Sequence, residues 1–543
     1  MFTTLTAPLP APSTVLYALL GVLALGLATV LYLYPYTART IPFRNLPGPE
    51  PASALFGSLL TQQRAEPGTT YSKWAAAYGP TLRFRSILGS WRIVSTDLRA
   101  AAWVLQHTGQ FHRQTGFNAM LDRMFGRGVL MVEDAAHRRQ RRVLAPAFSA
   151  VNVANMMPVF WDKAYELDKK LAQVVSDGEK GGAQVDIHLY FMRTALDIIG
   201  LAGFNYDFGA ADEADNPLSK SMFAATNGIQ KPSIVRVLQI FYPALLPLPT
   251  RFTRTLDSNR RIQDKVAREI VAARKAELHD VKVEKKADIG KDAISLLIKA
   301  NMSPDLEERQ RLTDEEVLGQ IGSLVLAGNE TSATALAWTC LHLTQHPEVQ
   351  VRLRDELDGV PEDRPSMEEL HALSYLDSVV HEVLRYDPPL PQVVRMCVQD
   401  TIVPLSQPVK GVDGKLMSEI AVSKGTEFVI PINEINRSKE VWGPDADKFN
   451  PDRFERAPGA TVPGVWGNLV TFNAGPHNCM GYRFALAEIK VMLFVLLRNY
   501  TLEALPSNPR IERRGQGFVQ RPFVVGEEDK GIQLPVILRR REV

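Results

Sequence analysis

The sequence predicts a mainly α-helical fold with a minor β-sheet region, preceded by an N-terminal transmembrane helix. Three observations predict it: long apolar-periodic segments opened by capping residues, a short strand-like stretch punctuated by glycine, and an apolar run without charge near the N terminus.

The apolar run comes first in the chain. Residues Met1 to Ala38 carry no charged side chain, and within them Thr14 to Tyr34 is a nearly unbroken apolar run of 21 residues. At about 1.5 Å per residue such a helix spans about 31 Å, the hydrocarbon thickness of a bilayer. Arg39 and Arg44 follow the run and no cation precedes it, which places the remainder on the cytosolic side. A cleaved signal peptide would show a basic start, a shorter apolar core and a small-residue cleavage site, and none is evident. Leu46-Pro47-Gly48-Pro49 reads as a stiff hinge, because proline fixes its own φ and extends the residue before it. The organisation expected is an anchor over 1–38, a Pro-rich hinge over 39–52 and one catalytic domain over 53–543.

Within that domain the charge-rich stretch His279 to Asp292 reads as a solvated loop between helices. Thr313 and Glu316 form a capping box for a helix of more than thirty residues that His346-Pro347 closes. A second box, Ser366 with Glu369, opens a helical region that Asp387-Pro388-Pro389 stops after Tyr386. Thr401 to Leu405 and Ile420 to Ile430 look like strands, with Gly411 and Gly414 marking a turn between them. Gly481 to Tyr500 is helical, with Phe484, Ile489, Met492, Leu493 and Leu496 at core spacing.

Composition narrows the function. Lys plus Arg (62) nearly balance Asp plus Glu (60), so there is no global basic field for nucleic acid. Three cysteines, Cys340, Cys397 and Cys479, are too few and too scattered for a disulfide framework or a four-cysteine zinc site. Cys340 and Cys397 read as small buried residues. Cys479 differs, because it lies in a glycine-flanked loop, Phe472-Asn473-Ala474-Gly475-Pro476-His477-Asn478-Cys479-Met480-Gly481, just before a helix. Helix N-terminal amides favour an anion and so lower a thiol pKa, and Gly475 and Gly481 let the backbone turn tightly beside a flat ligand.

This loop resembles the cytochrome P-450 signature Phe-x-x-Gly-x-Arg-x-Cys-x-Gly: Phe472, Gly475, Cys479 and Gly481 match, while His477 stands in the arginine position. Histidine still donates to a haem propionate, with a charge expected to titrate near neutral pH. Further motifs follow in the family order. Ala327-Gly328-Asn329-Glu330-Thr331-Ser332 resembles the oxygen-activating segment, although a helix threonine also bonds back to its own backbone. Glu382 and Arg385 resemble the structural Glu-x-x-Arg motif, with Arg453 as third member. His137 and Arg141 occupy the Trp and Arg positions of a propionate-contacting helix, and Arg395 matches another propionate site. Arg138, Arg139 and Arg142 are expected to form part of a cationic face for an acidic redox partner.

The resemblance implies the P-450 fold, haem b with Cys479 as the axial thiolate, and insertion of one oxygen atom from O2 into a lipophilic small molecule. Glu330 and Thr331 are the implied proton-delivering residues. NADPH and FAD/FMN are expected to act only through a separate NADPH-cytochrome P-450 reductase, with a small haem electron carrier as a second candidate donor. The family's substrate segments bring Phe111, Phe117, Met120, Phe125, Leu326, Val393, Val394, Phe518 and the region 221–254 into view, and the apolar run Ile234 to Leu248 suits a surface that dips into lipid. The pattern resembles membrane-bound fungal members of secondary metabolism at the endoplasmic reticulum, with terpenoids the favoured substrate class. The rival readings are a haem-thiolate isomerase or dehydratase, and a non-catalytic haem-binding protein, which would gain nothing from Thr331.

Overall fold

A computed structural model describes residues 12–178, 182–212, 234–280, 292–301, 308–515 and 518–541. Most of the predicted loop after His279, the first part of the region 221–254 and the first eleven residues lie outside them. The helices that matter here are α1 (Pro12–Leu31), α2 (Thr115–Phe125), α3 (Asp134–Leu144), α4 (Ala150–Ser176), α5 (Ile187–Phe204), α6 (Ile234–Phe241), α7 (Arg251–Asp280), α8 (Asp314–Gln345), α9 (Ser374–Tyr386) and α10 (Tyr482–Asn499). α8 runs along α5 and α10, α4 packs on α10, and the largest apolar core lies among these helices.

Twelve strands among the described residues make the minor part. β1 (Thr81–Arg85), β2 (Trp91–Ser95), β3 (Phe111–Arg113), β5 (Val393–Cys397) and β8 (Glu427–Ile430) form a five-stranded sheet in the order β1-β2-β8-β5-β3. β4 (Gly182–Asp186), β9 (Tyr500–Glu503) and β12 (Pro535–Arg540) form a second sheet, and β6 (Thr401–Lys410) with β7 (Leu416–Val422), and β10 (Ile511–Arg514) with β11 (Arg521–Val524), form two ribbons.

Both capping boxes form. The Thr313 hydroxyl accepts from Glu316 N while Glu316 Oε2 accepts from Thr313 N, and Ser366 and Glu369 do the same. The second box opens only a short helix, Met367–Ala372, and Leu373 breaks the chain before α9. The strand expected over Ile420 to Ile430 is two strands in different sheets. Gly425, at φ +84°, turns the chain between them, and Cys397 holds that turn through hydrogen bonds with Gly425 N and Thr426 O. The strand at Thr401 runs beyond Leu405 to Lys410, irregular between Pro404 and Val409 because Pro404 and Pro408 have no N–H for the ladder.

α5 is apolar and long enough to cross a bilayer, yet most of it is buried against the core. α1 is a 20-residue helix of about 30 Å, prolonged by a wide turn over Tyr32–Tyr36 that contains Pro35. The proline-rich segment after it is docked: Leu46 is buried, Pro47 O accepts from Arg83 N, and Asn45 O accepts from Val412 N.

One buried group makes stability depend on pH. Glu488, on α10, has no exposed surface and no ion-pair partner among the described residues. Burial pushes its pKa up to about 8, against a smaller opposing pull from the Ser332 hydroxyl. A folded-state pKa above the unfolded one means that stability is full below the unfolded carboxylate range and is lost as pH rises towards 8. Glu488→Gln is therefore expected to flatten this loss, gaining about 2–4 kcal/mol on wild type between pH 5 and pH 8. Denaturant melts at both pH values check it, and parallel pH slopes for the two proteins would reject it.

Candidate active site

The loop that carries Cys479 is held from its own ends. Phe472 O accepts from Cys479 N at 2.9 Å, Gly475 has φ +66°, and a Cβ there would stand 2.3 Å from Leu105 O. Glycine is thus required at 475 by conformation and by contact. Gly481 has φ −87° and no neighbour closer to such a Cβ than Phe148 at 3.8 Å, so backbone strain does not demand it. Phe472 packs edge-on to Trp466 and tilted against Tyr482.

Cys479 combines accessible surface with a deep position in the protein. The expected lowering of its thiol pKa is corrected: Gly481 N–H and Arg141 pull it down, but burial wins and pushes the free thiol up to about 11. Cys340 and Cys397 are buried as expected.

Beside this loop lies a cluster with surplus positive charge. α3 brings His137 and Arg141, β5 brings Arg395, and β3 pairs Arg113 directly with Arg395 in its register. His477 is buried edge-on against His137, with ring centroids 4.1 Å apart. Among the described residues Glu133 is the one carboxylate placed there: its Oε1 accepts from Arg113 N at 2.9 Å and its Oε2 lies 3.3 Å from His477 Nε2. Burial and Arg113 hold His477 well below the usual histidine range, and burial with Arg113 and Arg141 lowers His137 to about 3. The expectation that His477 titrates near neutrality is therefore corrected, since it sits neutral among three guanidinium groups. Arg395 is nearly buried and lowered to about 10 by desolvation and by Arg113. Arg141 donates to Asn478 O at 2.7 Å and to its side chain, next to Cys479. Three arginines around one carboxylate, beside a lone accessible sulfur, form a donor set that fits a macrocycle bearing two carboxylates and an iron that takes thiolate. Arg113 and Glu133 were not singled out from the sequence.

The α8 segment supplies the other half. Glu330 is buried and ion-paired through both Nε and Nη2 of Arg521, which β11 brings from 191 residues away. Burial raises the Glu330 pKa and Arg521 opposes the rise. The Thr331 hydroxyl donates to Ala327 O at 2.6 Å, which is the backbone-bonded state of a helix threonine. Phe518 packs on Phe117 at 5.8 Å and lies 6.0 Å from the Arg521 guanidinium, joining this pair to an apolar cluster. That cluster contains Met120, Phe125 and Leu326, with Phe117 and Phe518 packed against it. Phe111 is separate: it is buried in the sheet core against Phe428.

A third group lies apart from both. Arg385 donates to Glu382 through Nε (2.6 Å) and Nη2 (2.8 Å), and Arg453 Nε donates to the same carboxylate at 3.0 and 3.1 Å. The cationic face of α3 is smaller than expected, because Arg139 turns inward onto Glu316 and Arg311 O, while Arg138 and Arg142 stay exposed.

The sequence model of the family described as Cytochrome P450 matches residues 47–523. This chain is a cytochrome P450. It is 37% identical over 521 residues to cytochrome P450 monooxygenase 128 of Postia placenta, covering 94% of each chain. It is also 36% identical over 521 residues to cytochrome P450 monooxygenase claP of Ampulloclitocybe clavipes, covering 93% of this chain and 94% of that one. This P450 is thus a monooxygenase that resembles fungal members of secondary metabolism, and its family implies haem-thiolate iron.

Proposed function

We propose that this P450 is anchored by α1 in the endoplasmic reticulum membrane with its catalytic domain in the cytosol, and inserts one oxygen atom into a lipophilic metabolite, terpenoids being the favoured class. Electrons come from NADPH through a separate flavin reductase that docks on the face bearing Arg138 and Arg142. The observation that carries the reading is the buried Glu330 beside Thr331, joined through Arg521 and Phe518 to an apolar cluster suited to such a substrate. Cys479 is the residue that would hold the iron, and Phe472 braces its loop. Arg113, Arg141, Arg395 and the histidines 137 and 477 would take the propionates, whose charge balances the surplus cations. When bound, the haem supplies oxygen activation, favoured by electron density from the thiolate.

The protein's own contribution is proton supply. Glu330 holds a carboxyl at the edge of the apolar cluster, where Arg521 fixes its orientation, and Thr331 retains free lone pairs while its hydrogen is bonded to Ala327. Thr331→Ala, assayed with a reductase and a substrate that wild type oxidises, is expected to keep NADPH consumption but lower product per NADPH by about tenfold, with peroxide making up the difference. Unchanged coupling in that variant would remove Thr331 from the reaction. No product from wild type across lipophilic panels, with haem bound and reduced, would count against the oxygenase reading itself.

A further inference from the structure

The β1–β2 hairpin carries side chains that the chemistry above does not use. Arg83 and Arg85 stand two residues apart on one face of β1, and Trp91 lies directly across from Arg85. Both guanidinium groups lie over the indole, at 4.6 and 4.9 Å from its centroid, and Arg85 is also 5.1 Å from the Tyr34 ring. Arg83 donates one N–H to Leu46 O at 3.0 Å. Arg83 Nη1, Arg85 Nε and Trp91 Nε1 are donors without an acceptor. Among the described residues neither guanidinium has an ion-pair partner within contact, and Glu50 is the one carboxylate that bears on them. Arg92, Arg513 and Arg521 are, by contrast, each paired with a carboxylate, Glu427, Asp387 and Glu330 in turn. This hairpin therefore holds two cations and a surplus of donors.

Its position gives the surplus a meaning. Tyr34, in the turn that prolongs α1, donates to Ala54 O at 2.6 Å and so fixes the end of that charge-free helix beside Arg85. Tyr32 and Tyr36 of the same turn are exposed, and on the other flank Arg92 meets Phe241 of α6, next to exposed Tyr242 and Leu248. Aromatic rings and guanidinium groups at the end of an apolar helix occupy the depth of lipid headgroups when that helix spans a bilayer.

We propose that Arg83, Arg85 and Trp91 form a binding site for the phosphate of an anionic phospholipid headgroup. The inference rests on the reading that α1 enters the membrane. A phosphate offers oxygens to both guanidinium groups at once, which a neutral headgroup cannot balance in charge. A soluble phosphate shares that chemistry, but a lipid is held at this depth by its acyl chains and so meets the site at high effective concentration.

The test uses the detergent-solubilised full chain, equilibrated with an equimolar mixture of phosphatidic acid and phosphatidylcholine, with retained lipid classes then quantified by mass spectrometry. Wild type is expected to retain phosphatidic acid selectively, and Arg83→Gln with Arg85→Gln to reduce that selectivity by about fivefold for each arginine removed. If the double variant does not fold, Arg85→Gln alone carries the test with a fivefold loss of about the same origin, since no protein hydrogen bond of that side chain is broken among the described residues. No selectivity in wild type, or unchanged selectivity in the variants, overturns the site. Displacement of the retained lipid by excess inorganic phosphate overturns the lipid as its occupant. Flotation with vesicles of phosphatidylcholine alone separates the two ideas: a wild-type chain that fails to float refutes the anchor, whereas one that floats without headgroup selectivity refutes only the site.

Discussion

Glu382→Ala is expected to destabilise the protein by about 3–5 kcal/mol, because it strips two buried guanidinium groups of the carboxylate they share. Glu382 and Arg385 have no exposed surface and Arg453 is 5% exposed. Arg385 keeps three carbonyl acceptors, on Asn436, Ala446 and Lys448, and Arg453 keeps Asp445, but carbonyl groups do not neutralise charge. The damage has a route to the active site. Asn436, whose carbonyl Arg385 holds, accepts from Val470 N and donates to Thr471 Oγ1 at 2.8 Å, immediately before Phe472, whose carbonyl holds Cys479 N. Glu382→Gln, which keeps acceptor and shape but loses the charge, is expected to fall between wild type and the alanine variant. Urea unfolding followed by tryptophan fluorescence reads all three, and a midpoint for Glu382→Ala within error of wild type would mean that the pair contributes no more than a surface contact.

These residues show which parts of the site a sequence exposes. Glu382 and Arg385 are three apart on α9, and the Thr313 box lies within four residues, so local spacing reveals both. The Cys479 loop is equally local, since its glycine and its helix start are neighbours in the chain. Arg521 was not legible, because its pairing with Glu330 spans 191 residues and its own segment reads as an ordinary strand. Arg113 and Glu133 meet Arg395 and His477 only through sheet register and the start of α3, which no local period encodes. A weak signal did exist, in that Arg113 ends a short strand next to the candidate substrate segment. The raised thiol of Cys479 and the lowered pKa of His477 were missed for one reason: helix dipoles and neighbouring charge can be read from order along the chain, whereas desolvation depends on everything packed around a group. The split of the 420–430 strand was hidden likewise, because one glycine turn serves two sheets.

Cys479→Ala is expected to abolish the long-wavelength Soret band of the dithionite-reduced protein under carbon monoxide, while Cys340→Ala and Cys397→Ala retain it. The three thiols occupy different surroundings. Cys340 is packed into α8 with no exposed surface, and burial pushes its thiol far up. Cys397 is buried in the sheet and donates to Gln399 O at 2.9 Å. Cys479 alone has accessible surface, and although burial raises its thiol, Gly481 N–H and the Arg141 guanidinium oppose that rise, a help that neither of the others receives from a cation. Alanine at 479 leaves the backbone bond from its N–H to Phe472 O intact and truncates one small side chain that keeps accessible surface, so folding is expected to change by less than about 1 kcal/mol. That separation gives the measurement its force: the ligand is lost from a protein whose thermal melt without haem matches wild type. A retained band in folded Cys479→Ala protein would move the iron ligand elsewhere, and loss of the band in Cys340→Ala or Cys397→Ala protein of wild-type stability would make sulfur outside the loop part of the site.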